Sequence, residues 1–348
     1  MEKKRCGLLG RKLGHSYSPE LHALMGEYSY ELFEVEPEGL NEFLRARDFD
    51  GVNVTIPYKT LVLDGCDHLT EAAQAIGSVN TVVKLPDGSL LGDNTDAAGF
   101  EAMIWHSRVP VTGRKCLVLG SGGASLAVRY VLERLGAGEI VTVSRIGRDN
   151  YDNLDRHADG EVIVNATPVG MYPETGGAPV DLRRFPRCKG VLDLIYNPAR
   201  TALLRQAEEL GIPCLGGLYM LVEQARCAAR IFQGGGAPLM RTGTACQIMR
   251  SRKENRVLIG MPGCGKTTVG QAWPGCWTAP SWTATWSWRR LWGPPASGSC
   301  WSRGRRPSGP GRPRSWRSWG WSPAWSSPPA AAASPGRRTI RSSTRTAC

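Results

Sequence analysis

Over the first 235 residues, apolar and polar positions alternate between two spacings, one suited to strands and one to helices. Residues 6–9 form a brief continuous apolar run, the mark of a buried strand. Ser18-Pro19-Glu20 then offers a capping hydroxyl, a proline for the first helical position and an early acid, and predicts a helix to Tyr28. An alternating strand is expected over 30–36, a helical stretch near 37–47, a strand over 51–56 and a helix from Pro57. Residues 79–91 predict a hairpin that turns at Pro86-Asp87-Gly88. A second unit of the same kind begins near Gly113. Strands are expected at 115–119, 140–143, 162–165, 190–195 and 213–215, and helices at 126–135, 199–210 and 218–232. Strands alternating with helices specify an α/β fold built on a mainly parallel sheet.

Composition changes the picture at one place. The formal charge of +12 would suggest a nucleic-acid partner, yet residues 255–348 hold 14 Lys or Arg and no Asp or Glu, which leaves the first 254 residues with 29 basic and 31 acidic side chains. Eleven of the 12 Trp lie beyond residue 272, in a stretch crowded with Ser, Pro, Arg, Gly and Ala. Two readings of that stretch stand side by side: a basic arm for nucleic acid, or a low-complexity tail with no selected fold, produced by a shifted reading frame. The second is favoured, because Asp, Glu, Asn, Phe and Tyr vanish together soon after a recognisable motif; nucleic acid is not the expected partner. The 11 Cys form no CxxC pair, no zinc-like Cys/His spacing is present, and no metal site is expected. The N-terminal apolar run is too short for a signal-peptide core and no stretch is long enough to span a membrane, so a cytoplasmic protein is expected.

The first chemical motif is Gly120-Ser121-Gly122-Gly123-Ala124, between an apolar strand and a helix. Glycines there let backbone N–H groups approach a pyrophosphate, and the positive end of the helix faces it. This is a variant of the Rossmann dinucleotide fingerprint. The following strand ends Val143-Ser144-Arg145; a carboxylate there would receive a ribose 2′-OH, whereas arginine pairs with a 2′-phosphate, so NADP is favoured over NAD. Arg148 assists if its loop folds back.

Several polar motifs also fall in the order and spacing of one family. Gly14-His-Ser16-Tyr-Ser18-Pro19, Asn53-Val-Thr55-Ile-Pro57-Tyr-Lys59, Gly77-Ser-Val-Asn80-Thr81 and Gly92-Asp-Asn94-Thr95-Asp96 precede the glycine turn. Asn165-Ala-Thr167-Pro168-Val-Gly170-Met171, Asp193-Leu194-Ile-Tyr196-Asn-Pro198 and Gly217-Leu-Tyr-Met-Leu-Val-Glu-Gln224 follow it. Over about two-thirds of its length the chain resembles the shikimate dehydrogenase family. The resemblance implies a substrate domain over 1–100, a Rossmann NADP domain over 101–217, a closing helix over 218–235 packing back on the first domain, and a linker over 236–254. It implies reversible reduction of 3-dehydroshikimate to shikimate by NADPH, by a monomer or homodimer. Substrate contacts fall on Ser16, Ser18, Thr55, Asn80, Tyr196 and Gln224; Thr167, Leu194 and Gly217 join the glycine turn, Ser144 and Arg145 around the cofactor.

The chemistry is intelligible from the residues. Reducing a ketone leaves an alkoxide that needs a proton donor within hydrogen-bond reach, and Lys59 beside Asp96 is the natural acid–base pair. His15 and His22 are expected to be structural. Two alternatives remain open: a quinate or shikimate dehydrogenase using NAD, and a binding-only protein that senses a nucleotide or holds nucleic acid through its tail.

Arg256-Val-Leu-Ile-Gly260-Met-Pro-Gly-Cys-Gly265-Lys266-Thr267 is a strand and P-loop that resembles the opening of shikimate kinase, over about 255–272. Phosphoryl transfer needs a downstream carboxylate for magnesium. No acidic residue follows Glu254, so kinase activity is not expected.

Overall fold

The computed structural model describes residues 3–14 and 16–253. His15, the P-loop and the tail over 273–348 lie outside the described residues. In chain order the elements are β1 (Arg5–Gly10), α1 (Ser18–Met25), β2 (Ser29–Glu34), α2 (Leu40–Ala46), β3 (Gly51–Val54), β4 (His68–Leu69), α3 (Glu71–Ile76), β5 (Thr81–Lys84), β6 (Leu90–Asp93) and α4 (Thr95–Ser107). They continue with β7 (Lys115–Leu119), α5 (Gly123–Arg134), β8 (Glu139–Val143), β9 (Val162–Asn165), β10 (Gly190–Asp193), α6 (Ala202–Glu209), β11 (Cys214–Gly216), α7 (Leu218–Phe232) and α8 (Thr242–Lys253). No described helix is long and apolar enough to cross a membrane.

Two sheets result. The first, ordered β2-β1-β3-β5-β6-β4, is mixed: β1 runs parallel to β2 and β3, while the β5–β6 hairpin makes antiparallel pairs. The second, β11-β10-β9-β7-β8, is parallel throughout. Its strands are apolar on both faces because both are covered. Cys116 and Val118 of β7 face α4 and α5, packing with Phe100, Met103, Val128 and Leu132, and the intervening Leu117 and Leu119 pack with Leu203 and Leu204 of α6. The strand order reverses at β7, whose neighbours are β8 on one side and β9 on the other. That reversal is where open α/β sheets form ligand crevices, and the glycine turn leaves β7 there.

Several expectations are corrected. Ser18 is the first residue of α1, not its cap; Tyr17 occupies the cap position without a side-chain bond, and Ser16 Oγ accepts from the Ser18 N–H at 3.2 Å. That helix stops at Met25, where the Leu239 N–H takes the Met25 carbonyl. No helix starts at Pro57: the Lys59 carbonyl is taken by Val79 N–H at 2.7 Å, and only a short 3-10 turn, Leu61–Gly65, follows. The boundary expected at residue 100 falls inside α4. The linker expected over 236–254 instead carries α8, which buries Ala245, Cys246 and Met249 against Leu21 and Met25 of α1 and Val222 and Ala229 of α7. The Thr242 hydroxyl at its start hydrogen-bonds Glu223.

Candidate active site

Lys59 stands in the turn after β3, and Asp96 in the first turn of α4, where the helix dipole favours a carboxylate. The Lys59 ammonium lies 2.5 Å from Asp96 Oδ2, with the two side chains only 15% and 8% exposed. Their meeting follows from one connecting segment, residues 77–80. Val79 N–H holds the Lys59 carbonyl, while Asn80 Oδ1 accepts the Thr95 N–H at 2.7 Å and fixes the start of α4. Asn94 caps that helix through Ala97 N–H, and its own amide donates to the carbonyl and hydroxyl of Ser78 at 2.8 and 2.9 Å. A single loop therefore grips both backbones that carry the ion pair.

Behind it runs a chain of buried polar groups. The Thr81 hydroxyl donates to Asn80 Oδ1 at 3.1 Å, Asn53 Nδ2 donates to Thr81 Oγ1 at 3.1 Å, and the Tyr30 hydroxyl donates to Asn53 Oδ1 at 2.8 Å. With the Asn80 carbonyl consumed in this way, its amide N–H₂ is the end left for a ligand. Tyr30 is also hydrogen-bonded to Ser18, and burial pushes its phenol well above the usual range. His22 stacks on Tyr30 with centroids 4.0 Å apart and hydrogen-bonds Tyr28; burial pushes its imidazole down to about 3, so it is neutral and structural.

The glycine turn faces the same place. A Cβ on Gly123 would lie 3.2 Å from Lys59 Cβ, so the start of α5 and the lysine are in near contact. Gly120 adopts φ +108°, and a Cβ there would meet the Ala166 carbonyl at 2.9 Å and Thr167 Cγ2 at 3.0 Å; only glycine passes between β7 and the loop after β9 without strain. Gly122 ends in open space, Ser121 is exposed, and α5 begins at Gly123-Ala124 with no acid in its first turn. Its unsatisfied N–H groups therefore remain free for an anion. Gly120 N–H donates to the Val143 carbonyl, bringing Ser144 and the exposed Arg145 to the turn. The loop after Arg145 is closed by Ser144 N–H donating to the Asp149 carbonyl, and Arg148 lines a surface hollow with Arg129 and Arg156 but also with the acids Glu139 and Asp149. The glycine turn, the start of α5 and the exposed Arg145 are the groups that fit a dinucleotide with a 2′-phosphate.

Asn165 and Asp193, at the ends of β9 and β10, shape the crevice from inside. Asn165 Oδ1 accepts from both the N–H and the hydroxyl of Thr167, and its amide donates to Asp193 at 3.0 Å. Burial pushes the Asp193 carboxyl up to about 6, opposed by donors from Thr201, Ile195 N–H and Asn165. Leu194 N–H donates to the Asn165 carbonyl and Gly217 N–H to the Ile195 carbonyl, so Leu194 and Gly217 sit together beside Thr167. Sequence reasoning assigned neither Asn165 nor Asp193 a part. The signal available was a polar residue closing an otherwise apolar strand.

The remaining expected contacts are held by other neighbours. Thr55 anchors the Lys59 turn, its carbonyl accepting from Tyr58 N–H. Gln224 is buried on α7 where that helix passes Gly99 of α4, and its amide nitrogen is engaged by the Leu221 carbonyl, leaving its oxygen. The Tyr196 ring meets Tyr17, between Ser16 and Ser18, with centroids 5.0 Å apart.

Comparison with known proteins places the chain among relatives of one family. The family described as the shikimate dehydrogenase substrate binding domain matches residues 8–82. A Clostridium perfringens protein named shikimate dehydrogenase (NADP(+)) is 37% identical over 252 residues, covering 66% of this chain and 93% of its own. A chorismate mutase/shikimate 5-dehydrogenase fusion protein from Clostridium acetobutylicum superposes with TM-score 0.67 at 37% identity, covering 72% and 98% of the two chains. Shikimate 5-dehydrogenase from Thermus thermophilus, solved with NADP(H) and shikimate, gives 0.65 at 32% identity, covering 72% and 99%.

Proposed function

The chain belongs to the shikimate dehydrogenase family, and from that premise we propose that it interconverts 3-dehydroshikimate and shikimate with NADP(H), using Lys59 and Asp96 as the acid–base pair. The observation that carries the reading is the Lys59–Asp96 ion pair lying directly against the glycine turn. NADPH, when bound, supplies the hydride. The chain's own residues do the rest. The Lys59 ammonium donates its proton to the oxygen of the ketone as that carbon is reduced, so the alkoxide never accumulates. Asp96 holds the ammonium and receives the neighbouring substrate hydroxyl. In the oxidising direction the two act as one proton-accepting unit.

Ser16 and Ser18 face the substrate carboxylate, and Thr55, Tyr196 and the free ends of Asn80 and Gln224 take the ring hydroxyls. Such a set suits a small polyol acid, which has many hydrogen-bonding groups and no large apolar face. Gly120, Ser121, Gly122, Gly123 and Ala124 receive the pyrophosphate. Ser144 and Arg145 take the 2′-phosphate, and Thr167, Leu194 and Gly217 line the nicotinamide end. No kinase chemistry is assigned to the P-loop resemblance over 255–272.

The test is a matrix of rates for the full chain with shikimate and quinate, each with NADP and NAD. Turnover confined to shikimate with NADP is expected. Preference for quinate with NAD would replace the reading by its nearest alternative, and no turnover in any combination would end it.

A further inference from the structure

Tyr17 is the residue between Ser16 and Ser18, and nothing in the mechanism above uses it. Its ring packs on Tyr196, which belongs to the loop after β10 in the other half of the molecule; the centroids are 5.0 Å apart and the planes are tilted by 55°. A second contact fixes it from a segment distant in sequence, helix α8. The Lys253 ammonium, in the last turn of α8, lies 4.6 Å from the Tyr17 centroid and ion-pairs with Glu20 in the first turn of α1. Burial raises the phenols of both tyrosines, so both stay neutral at physiological pH. An uncharged aromatic pair and a cation above a ring are both attractive contacts.

We propose that Tyr17 is a positioning residue: with Tyr196 it forms a clasp across the substrate end of the cleft, and α8, through Lys253, holds that clasp in place. The proposal rests on the functional reading above, since Ser16, Ser18 and Tyr196 matter here as substrate contacts. Because Tyr17 lies between the two serines in sequence, the direction of its ring sets the pitch of the loop that presents them. The clasp acts on the closed cleft in the substrate complex and the transition state alike. Its loss is therefore a loss of uniform binding, which raises KM and leaves kcat nearly unchanged.

In the full chain, Tyr17→Ala is expected to raise the KM for shikimate roughly three- to tenfold, the range of one aromatic pair, with kcat and the KM for NADP within about twofold. Tyr17→Phe keeps the ring and restores the wild-type KM. Lys253→Met shifts the KM in the same direction by a smaller factor. An unchanged shikimate KM in Tyr17→Ala overturns the proposal, as does an equal rise for NADP, or a Phe variant that behaves as Ala. Hydrogen exchange gives a reading independent of turnover: Tyr17→Ala should speed exchange in residues 195–200 across the cleft as well as in residues near position 17. Acceleration confined to the region of position 17 sinks the clasp even if the enzyme is active. An inactive wild-type chain whose exchange still couples the two loops sinks the functional reading instead.

Discussion

The two halves of the molecule hold their working groups by different means. In the substrate half, Lys59 and Asp96 are placed by side-chain amides and hydroxyls, with Asn53, Ser78, Asn80, Thr81 and Asn94 each using a specific oxygen or nitrogen. In the nucleotide half the turn is a backbone object, made by Gly120 at φ +108°, by the crowding of Ala166 and Thr167 around it, and by the free amides of α5. A site built from amide side chains fails when a polar group is removed. One built from backbone fails when a carbon is added.

Substitutions can break that comparison. The largest effect is expected for the reacting group itself: Lys59→Ala should lower kcat by about 10²- to 10⁴-fold, typical of a general acid, with the shikimate KM little changed in steady-state assays. Next, Gly120→Ala adds one methyl where φ is positive and the Ala166 carbonyl is 2.9 Å away. It should raise the KM for NADP by about 5- to 30-fold, the factor implied by the left-handed backbone penalty, and leave shikimate binding alone; if both KM values rise equally, the two halves are not independent.

Smaller effects sharpen the contrast. Asn80→Ala orphans the buried Thr95 N–H, which costs about 1–3 kcal/mol and lowers Tm by several degrees, roughly 2–4 °C per kcal/mol for a unit of this size. Activity should fall with it, because the first turn of α4 carries Asp96. The smallest effect concerns Asp193, the one strongly shifted carboxyl of the nucleotide crevice. Its folded value, raised by burial to about 6, lies above the unfolded one, so folding favours the neutral acid over the carboxylate more than the unfolded chain does. The stability it contributes is complete below pH 4 and is lost as pH rises through about 6. Thermal melts of wild type against Asp193→Asn between pH 4 and 7.5 should show that slope in wild type only; parallel curves would refute the assignment.

Legibility in the sequence followed the same division. Strand β7, the glycine turn and helix α7 were plain, because each is governed by one strong rule: a buried apolar run, a need for positive φ, a 3.6-residue period. The region after Pro57 was misjudged because its conformation is set by a tertiary bond, Val79 N–H to the Lys59 carbonyl, which no local pattern encodes. Helix α4 was missed where its start is fixed by Asn80 from another segment. For the candidate site, Lys59 and Asp96 were readable as chemical types in matching motifs. The groups that support them stood in the same motifs, but their holding role was not readable, since a buried Asn53 looks in sequence like any turn residue.

Helix α8 bears on how this protein can be handled. Cut at residue 235, the chain would lose the cover over Leu21, Met25, Val222 and Ala229, leaving a greasy trench along α1 and α7. Such a trench invites self-association. Any shortened form must therefore keep the whole of α8 to Lys253, whose ammonium also pairs with Glu20.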